Sequence, residues 1–400
     1  MSPRQSFSLL LLFLAVMLCS AGYGATFLLT DHFRQFGGNE IQTGWTLAGA
    51  AAGTLIGVPA VGWLAPRHGP VALASLGSLI LAIGFALLAA LESLSFVTVI
   101  CGVLIGLGWG AFFLSAPMSL SERVNDTNRI SWFMWLGAAQ MTAIGGGPII
   151  LNLLRARYGF TTGTVFASIA VCAAFAACLC GIFGVLFARP AQSIKPAGNW
   201  LRSLGPLSQT SSIYPIMMVF LGACIFTSLL TFQSSIAKTA GFDPSLFYLA
   251  YTATVVVGRF TLAPIASRSQ PDLAAIVLLT IMSMGVAIAL MQGTSLVMFV
   301  SAAICLGIGY GLVYSVIQTQ VVNDAPIEHR GAALTWFVLA YFAGVFGFPI
   351  VGGWIIVGFG TNFLLWTLLA LALLELALAV WAKQARAHLA QQVPKSSVLR

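Results

Sequence analysis

A few ionisable side chains stand inside or at the edge of long apolar runs, and their chemistry is the first clue to function. Arg259 lies within such a run beside Gly258, with no acidic residue three or four positions away. An arginine there could hold an anion, because its planar fork of donors matches a carboxylate, or it could be a coupling partner. Glu375 lies in the last run and could carry a proton. Asp31 stands beside Arg34 where the first run ends, and could titrate at the mouth of a cavity.

Each of these residues also has a simpler interpretation. A charge inside a bilayer costs at least ~2.5–3.5 kcal/mol, so each needs a reason to be there. Arg259 could hydrogen-bond to neighbouring backbone carbonyl groups and hold them in place, instead of binding a ligand. For Glu375 we favour a neutral or snorkelling side chain on a peripheral helix. For Asp31 we favour an ordinary loop residue near Arg34.

No catalytic or metal-binding cluster is apparent in the sequence. His32, His68, His329 and His388 are scattered in or near predicted loops, and no acidic pair flanks any of them. The seven cysteines all fall in apolar segments without zinc or redox spacing, which is typical of small apolar helix residues. We therefore predict no catalytic residue, no metal and no cofactor. An integral membrane enzyme is a distant alternative.

The composition places this chain in a lipid bilayer. Of its 400 residues, 59% are hydrophobic and 7% are charged, whereas a soluble domain has about 25% charged residues. Apolar segments without access to water must be helices that satisfy their own backbone. The N-terminus resembles a signal peptide, but its apolar run continues to about Thr30, which favours a first spanning helix.

The hydrophobic pattern predicts an all-α membrane protein of twelve transmembrane helices. A Pro-, Gly- and Ser-containing polar stretch at 189–211 divides them six and six. We therefore predict an N-terminal bundle over 1–188, a linker over 189–211 and a C-terminal bundle over 212–400. The predicted helices are 7–30, 41–65, 70–91, 95–119, 129–152, 161–188, 212–237, 245–267, 272–292, 295–320, 330–354 and 360–383.

The basic residues predict that both termini are cytoplasmic, because cytoplasmic loops carry an excess of Lys and Arg. With that orientation thirteen basic residues lie on the cytoplasmic side, and only Arg34, Arg155, Arg157 and Lys238 lie on the other. The net charge of +8 is thus a topology signal, and no nucleic-acid partner is expected.

An internal repeat relates the two halves at an ungapped offset of 201. The matches run through most of both halves, and an even number of helices per half gives both copies the same orientation. This is the parallel-repeat plan of a two-bundle transporter with its site between the halves, and it argues against a channel or receptor. Among the matches are Thr26 with Thr227, Gly57 with Gly258, Arg67 with Arg268, Trp135 with Trp336 and Pro148 with Pro349.

The repeat also includes two glycine motifs, "GLGWG" at 106–110 and "GIGYG" at 307–311. Membrane helices associate through close approach, which small residues permit. We predict that both motifs are packing surfaces at equivalent depth. A phosphate-binding loop is disfavoured because no strand precedes either motif and no lysine follows.

The loop "GWLAPRHGP" gives the chain a resemblance to the major facilitator superfamily. Gly62, Arg67 and Gly69 match the family's loop signature, and Arg268 occupies the equivalent loop of the second half. Pro66 replaces the family's aspartate, and Pro70 replaces a basic residue. The resemblance implies the major facilitator fold and a gating role for this loop.

Gly147-Pro148 and Pro349 resemble the helix-bending signature of exporters in this family. Family drug antiporters usually have an arginine at the position of Gly102, so the chain departs from that subgroup. The sequence looks similar to small bacterial arabinose-efflux-like and metallophore-exporter-like members. Monocarboxylate carriers are the competing comparison, because they also use an arginine in the eighth helix, as with Arg259.

The resemblance implies an ion-coupled, proton-driven exporter of a small organic solute in the bacterial inner membrane, working as a monomer by alternating access. An organic-anion carrier using Arg259 is the alternative. In the family fold the first, fourth, seventh and tenth helices line the cavity. The expected lining residues, some on the fifth, eighth and eleventh helices, are Tyr23, Thr26, Trp109, Phe113, Gln140, Thr227, Thr231, Arg259, Tyr310, Tyr314, Gln318 and Tyr341.

Overall fold

In the computed structural model, the regular structure is helical throughout the described residues 3–121, 129–186, 204–261, 270–291, 293–326 and 329–392. The prediction of an all-α membrane protein is therefore confirmed. The helices are α1 (Pro3–Ala25), α2 (Leu29–Arg34), α3 (Glu40–His68), α4 (Pro70–Ala89), α5 (Val97–Ser121), α6 (Arg129–Tyr158), α7 (Thr162–Leu186), α8 (Leu204–Ser208), α9 (Ile213–Thr231), α10 (Gln233–Ala240), α11 (Pro244–Thr261), α12 (Pro271–Met291), α13 (Leu296–Asp324), α14 (Arg330–Phe342), α15 (Phe348–Phe359) and α16 (Thr361–Gln392).

Ten spans in the described residues are long and apolar enough to cross a membrane. Of the twelve predicted helices, α6 and α11 are not among these ten. Both contain basic residues, Arg155 and Arg157 in the last turn of α6 and Arg259 in the last turn of α11. The two less apolar helices pack against each other, as shown below.

The first and seventh predicted helices are broken near the same end. The first leaves α-geometry at Thr26–Leu28, a 3₁₀ turn, before α2 continues to Arg34. The Thr26 hydroxyl donates to the Tyr23 carbonyl (2.6 Å) and so satisfies a backbone group beside this break. The seventh breaks at Phe232 between α9 and α10, where the Tyr248 hydroxyl donates to the Leu230 carbonyl (2.8 Å).

The eleventh predicted helix contains a π-helical turn at Ala343–Gly347, between α14 and α15. Pro349 follows directly; it has no N–H to continue the backbone ladder, and π-turns frequently occur at functional sites. Its repeat partner Pro148 behaves differently, because α6 is helical across it. Of the two predicted bending prolines, only Pro349 adjoins an irregular turn.

The helices of each half pack among themselves, and we call α1–α7 the first half and α9–α16 the second half. In the first half α3 and α4 both pack on α5, and α1 packs on α6 and α7. In the second half α11 and α12 pack on α13, and α16 packs on α12 and α9. Most of the predicted linker lies outside the described residues; its described part contains the short helix α8. The proposed domain limits remain a prediction.

The two glycine motifs contact equivalent helices in the two halves. In "GLGWG" the outer glycines face α3 and the middle one faces α4; a Cβ on Gly106 would overlap the Ala50 carbonyl. In "GIGYG" the outer glycines face α11 and the middle one faces α12. Alternate glycines thus allow one helix to approach two neighbours closely.

Candidate functional site

The ends of the helices define two faces of the molecule. We call the side where α1 begins and α16 ends the terminal face, and the side where α2 ends the opposite face. The two halves meet between these faces along two lines of contact, one between α6 and α11 and the other between α3 and α15.

The contact between α6 and α11 is polar along its length. Near the opposite face Asn152 donates to Ser245 Oγ (3.3 Å). Further along, Gly145 leaves space for the Thr252 hydroxyl, which a Cβ at that glycine would overlap. Polar side chains of both helices therefore lie along this line of contact.

Arg259 continues this line towards the terminal face. Its Nη1 lies against Gly137, where an added Cβ would overlap it. Its Nε is buried and has no hydrogen-bond partner among the described residues. Tyr251, Tyr310, Tyr314 and Tyr341 are the titratable residues near Arg259, and no carboxylate of the described residues is among them. The guanidinium therefore lacks a counter-charge among the described residues.

An aromatic cluster joins the two halves beside Arg259. The ring of Tyr23 stacks on Trp109 (5.4 Å between centroids, 8° between planes) and meets Phe346 of the π-turn edge-on (5.6 Å, 87°). The ring of Phe113 stacks on Tyr341 (6.2 Å, 22°). The expected lining residues of α1, α5 and α14 are therefore in direct contact.

The cluster follows the internal repeat in part. Tyr310 stacks on Phe226 (4.5 Å, 7°) in the second half, and its repeat partner Trp109 stacks on Tyr23 in the first, although Phe226 and Tyr23 are not repeat partners. Four pairs of expected lining residues are 201 positions apart: Thr26 with Thr227, Trp109 with Tyr310, Phe113 with Tyr314, and Gln140 with Tyr341.

Several buried polar atoms around the cluster have no hydrogen-bond partner among the described residues. Buried polar groups in proteins are nearly always hydrogen-bonded, so polar groups of a ligand or water would be stabilised here. The Tyr23 hydroxyl lies near Thr227 and the Tyr310 hydroxyl near Tyr341, in each case without reaching hydrogen-bond geometry. The atoms are Tyr23 Oη, Gln140 Nε2, Tyr251 Oη, Thr252 Oγ1, Arg259 Nε and Tyr310 Oη.

The remaining expected lining residues differ in what they offer a ligand. The Thr26 hydroxyl donates its hydrogen bond to the Tyr23 carbonyl and so has no donor left for a ligand. The hydroxyls of Thr227 and Thr231 lie 3.4 Å apart. Towards the terminal face Tyr314 and Gln318 are half-buried, as is Phe113, whereas Tyr23 and Trp109 are 2% exposed. Phe113, Tyr314 and Gln318 are therefore more exposed than Tyr23 and Trp109.

At the opposite face an ion-pair cluster ties the halves together. Arg34 Nη2 lies 2.6 Å from Glu40 Oε1 and donates to Ser235 Oγ (2.8 Å), which in turn donates to Glu40 Oε1 (2.5 Å). Asp31 pairs with Arg34 (3.2 Å) and Arg155 (3.6 Å), and it lies on α2 rather than in a loop.

Close backbone packing of α3 on α15 completes this contact. A Cβ on Gly44 would overlap the backbone of Ile350, and one on Gly353 would overlap the Glu40 carbonyl. A cavity of about 410 Å³ opens beside the cluster, lined by Arg34, Glu40, Ser235, Lys238, Thr239, Ile356, Gly360 and Thr361.

Glu375 does not snorkel, so that part of the favoured interpretation is wrong. Its side chain is 0% exposed, and neither carboxyl oxygen has a hydrogen-bond partner among the described residues. It lies in the middle of α16 and faces Gly222 of α9.

The loop signature is only partly described. Gly62 lies within α3, and Gly69 caps that helix with a φ of 77°, which favours glycine. The Arg67 guanidinium lies 4.4 Å from the centre of the Trp63 ring. Arg268 lies outside the described residues.

One terminal-face cluster was not anticipated from the sequence. Arg386 Nη2 lies 2.7 Å from Asp324 Oδ2, and Nη1 pairs with Asp272, which also accepts from Gln320 Nε2 (2.8 Å). This cluster joins α12, α13 and α16. The residues in contact are 48 to 114 positions apart in the sequence, so no local sequence pattern predicts these contacts. Acidic residues near helix ends are only a weak indication of such a cluster.

Comparisons with known proteins agree with this architecture. Residues 9–348 match the sequence profile of the Major Facilitator Superfamily. No curated protein sequence matches the chain. The fold is similar to the POT family transporter PepTSo (TM-score 0.75, 15% identity, 98% of this chain and 99% of that chain covered). It is also similar to a mutant of the nucleoside transporter NupG (TM-score 0.72, 14% identity, 94% and 98% covered). The profile match extends over most of the sequence and includes both glycine motifs, so the chain belongs to the major facilitator superfamily.

Proposed function

We propose that the chain is a proton-coupled secondary transporter that exports a small organic anion with a planar apolar part. Its superfamily supports secondary transport by alternating access. The positions of Lys and Arg support cytoplasmic termini in a bacterial inner membrane, so the terminal face would be the cytoplasmic one. Gly147-Pro148, the exporter-like signature, supports the export direction.

The observation that carries the substrate class is the environment of Arg259. A half-buried guanidinium whose Nε is buried without a partner is costly when no counter-charge is near, and a bound carboxylate would supply that charge. Tyrosine hydroxyls around it offer further hydrogen bonds to the carboxylate oxygens. Stacked rings beside it suit a flat apolar body, since binding pockets combine apolar walls with a few placed polar groups. A monocarboxylate or similar organic anion therefore fits better than a sugar or a cationic dye.

The conformation suggests how substrate would move through the protein. The opposite face is held by Arg34, Glu40 and Ser235, and by the packing of α3 on α15. The half-buried residues Tyr314 and Gln318 lie on the terminal side of Arg259. Substrate would enter from the cytoplasm, bind at Arg259, and leave after the Arg34–Glu40–Ser235 contact opens and the terminal side closes.

Transport in proteoliposomes tests this function. We expect aromatic carboxylates to be carried. Transport should be poor for the neutral amides of those carboxylates, and also for sugars, cationic dyes and siderophores that lack a free carboxylate. Arg259→Lys keeps the charge but loses the bidentate contact, so transport should fall; Arg259→Ala should lower it further.

Arg157→Lys is the matched control, because Arg157 is an exposed arginine at the far end of α6. Its transport should equal that of the unaltered protein. If Arg259→Ala folds and carries the same solutes at the same rate, the proposed substrate site is wrong.

A further inference from the structure

Glu375 occupies a position that a packing role does not explain. It is one of ten acidic residues in the chain and lies in the middle of α16, whose neighbours there are leucine and alanine. The side chain is completely buried. A leucine at this position would bury apolar area without any electrostatic cost.

The neighbouring helix makes room for the carboxyl group. A Cβ built on Gly222 of α9 would lie 3.0 Å from Glu375 Oε1 and 3.2 Å from Oε2. These distances are tighter than most Cβ contacts, so an alanine there would require the carboxyl group to shift by a few tenths of an ångström. The carboxyl therefore sits against the backbone of α9.

Among the described residues, no charged group compensates Glu375 from the helices packed around it. On α9 the nearest titratable group is the Cys224 thiol, which is neutral at ordinary pH. On α12 the charged residue is Asp272, which pairs with Arg386 at the terminal face. The described part of α15 has no titratable residue, and Lys238 of α10 is exposed at the opposite face.

An ionised carboxylate in such a site is strongly disfavoured, because neither oxygen has a hydrogen bond and burial removes water. In this conformation the carboxyl group therefore carries its proton. When the proton leaves, the carboxylate must gain water or a hydrogen-bond donor, which requires α9 and α16 to move apart.

The position of α9 connects this event to the substrate site. On another side α9 packs against the π-turn, where a Cβ on Gly344 would lie 2.6 Å from the Phe220 carbonyl and 2.8 Å from Ala223 Cβ. The same helix carries Phe226 and Thr227 of the central cluster. A shift of α9 would therefore reach both the cluster and the turn next to Pro349.

We propose that Glu375 is the proton-binding site that couples proton movement to transport, through the position of α9. The step is the reversible dissociation of one proton from the carboxyl group to water on the side to which the site is open. The coupling part of this inference rests on the proposed function.

Infrared spectroscopy of the purified protein in liposomes tests the protonated carboxyl without any substrate. The unaltered protein should show a protonated-carboxyl C=O band that disappears in alkali, and Glu375→Gln should lack it. Gly222→Ala should shift the band, and it should have no effect on this spectral region in the Glu375→Gln background. A band unchanged in Glu375→Gln would overturn the proposal.

Transport against a pH gradient tests the coupling. With one proton per substrate, a gradient of one pH unit sustains about a tenfold ratio of substrate concentrations across the membrane. In Glu375→Gln this ratio should fall to about one, while exchange of substrate across the membrane continues. Thr367→Val is the control on the same helix, since the Thr367 hydroxyl donates only to the Phe363 carbonyl of its own helix; it should keep the ratio.

The outcomes separate this inference from the proposed function. If Glu375→Gln still accumulates substrate with the pH gradient, the coupling role of Glu375 is overturned and the transport function stands. If the unaltered protein carries organic anions without any response to the gradient, proton coupling itself is overturned. If no organic anion is carried, the proposed function fails, and the infrared band still decides whether Glu375 binds a proton.

Discussion

Arg34 donates a hydrogen bond to Ser235 across 2.8 Å, and the two residues are 201 positions apart. That separation is the offset of the internal repeat, so equivalent positions of the two halves touch each other. Such a contact can occur only close to the axis that relates the halves. The pair therefore marks where the two halves separate when the opposite face opens, and Glu40, which bonds to both residues, holds the contact closed.

We expect Glu40→Gln and Ser235→Ala to favour opening at the opposite face. The pair of Arg34 with Glu40 is partly exposed, so its loss should shift the equilibrium by about 1 kcal/mol, or roughly fivefold. Distances between spin labels on Arg157→Cys and Thr239→Cys, in a background with the native cysteines replaced, would measure the shift. Lys238→Ala, which lines the same cavity, is the control. Unchanged distances in both variants would show that this contact is not the closing element.

We expect Gly137→Ala to impair transport by displacing Arg259. The added methyl group overlaps Nη1, the end of a flexible side chain, so the guanidinium must move aside while the fold is retained. Gly146→Ala on the same helix is the matched control, because a Cβ there meets no atom within 4 Å. Rates in proteoliposomes should fall for the first variant only. Equal rates, with equal thermal stability, would mean that the position of Arg259 does not matter.

We expect Gly106→Ala and Gly307→Ala each to destabilise the protein. At Gly106 the methyl group would overlap the Ala50 carbonyl, and at Gly307 it would lie 2.9 Å from Thr254 Cβ and 3.0 Å from the Tyr251 carbonyl. A loss of about 1–3 kcal/mol in each half is expected, seen as a lower Tm in detergent. Gly358→Ala, which meets nothing within 4 Å, should leave the Tm unchanged or slightly higher. A normal Tm in both motif variants would contradict close packing at these glycines.

We expect both termini to be cytoplasmic. A fluorescent protein fused after the C-terminus should fold and fluoresce, whereas alkaline phosphatase fused there should be inactive. Phosphatase inserted at Gly159, the turn between α6 and α7 at the opposite face, should be active. The reverse pattern would invert the proposed topology and the assignment of the terminal face.

The sequence by itself determined the class of fold, because apolar length and backbone satisfaction in lipid leave little choice besides helices. The offset of 201 related the two glycine motifs and paired Thr26 with Thr227, since a repeated bundle repeats its lining. The absence of an acid three or four positions from Arg259 indicated that this residue needs a partner from another helix. These inferences depend on composition, period and offset, which are properties of the chain alone.

Only the tertiary structure decided which residues meet. The packing of neighbouring helices decides where a helix is interrupted, so similar local sequences gave different results. The helices break at Thr26–Leu28 and Phe232, and a π-turn precedes Pro349, whereas the helix continues across Pro148. The burial of Glu375 against Gly222 depends on contact between α16 and α9, which lie far apart in sequence. The clusters around Arg34 and Arg386 arise in the same way, because charges at separate helix ends come together only when the bundle assembles.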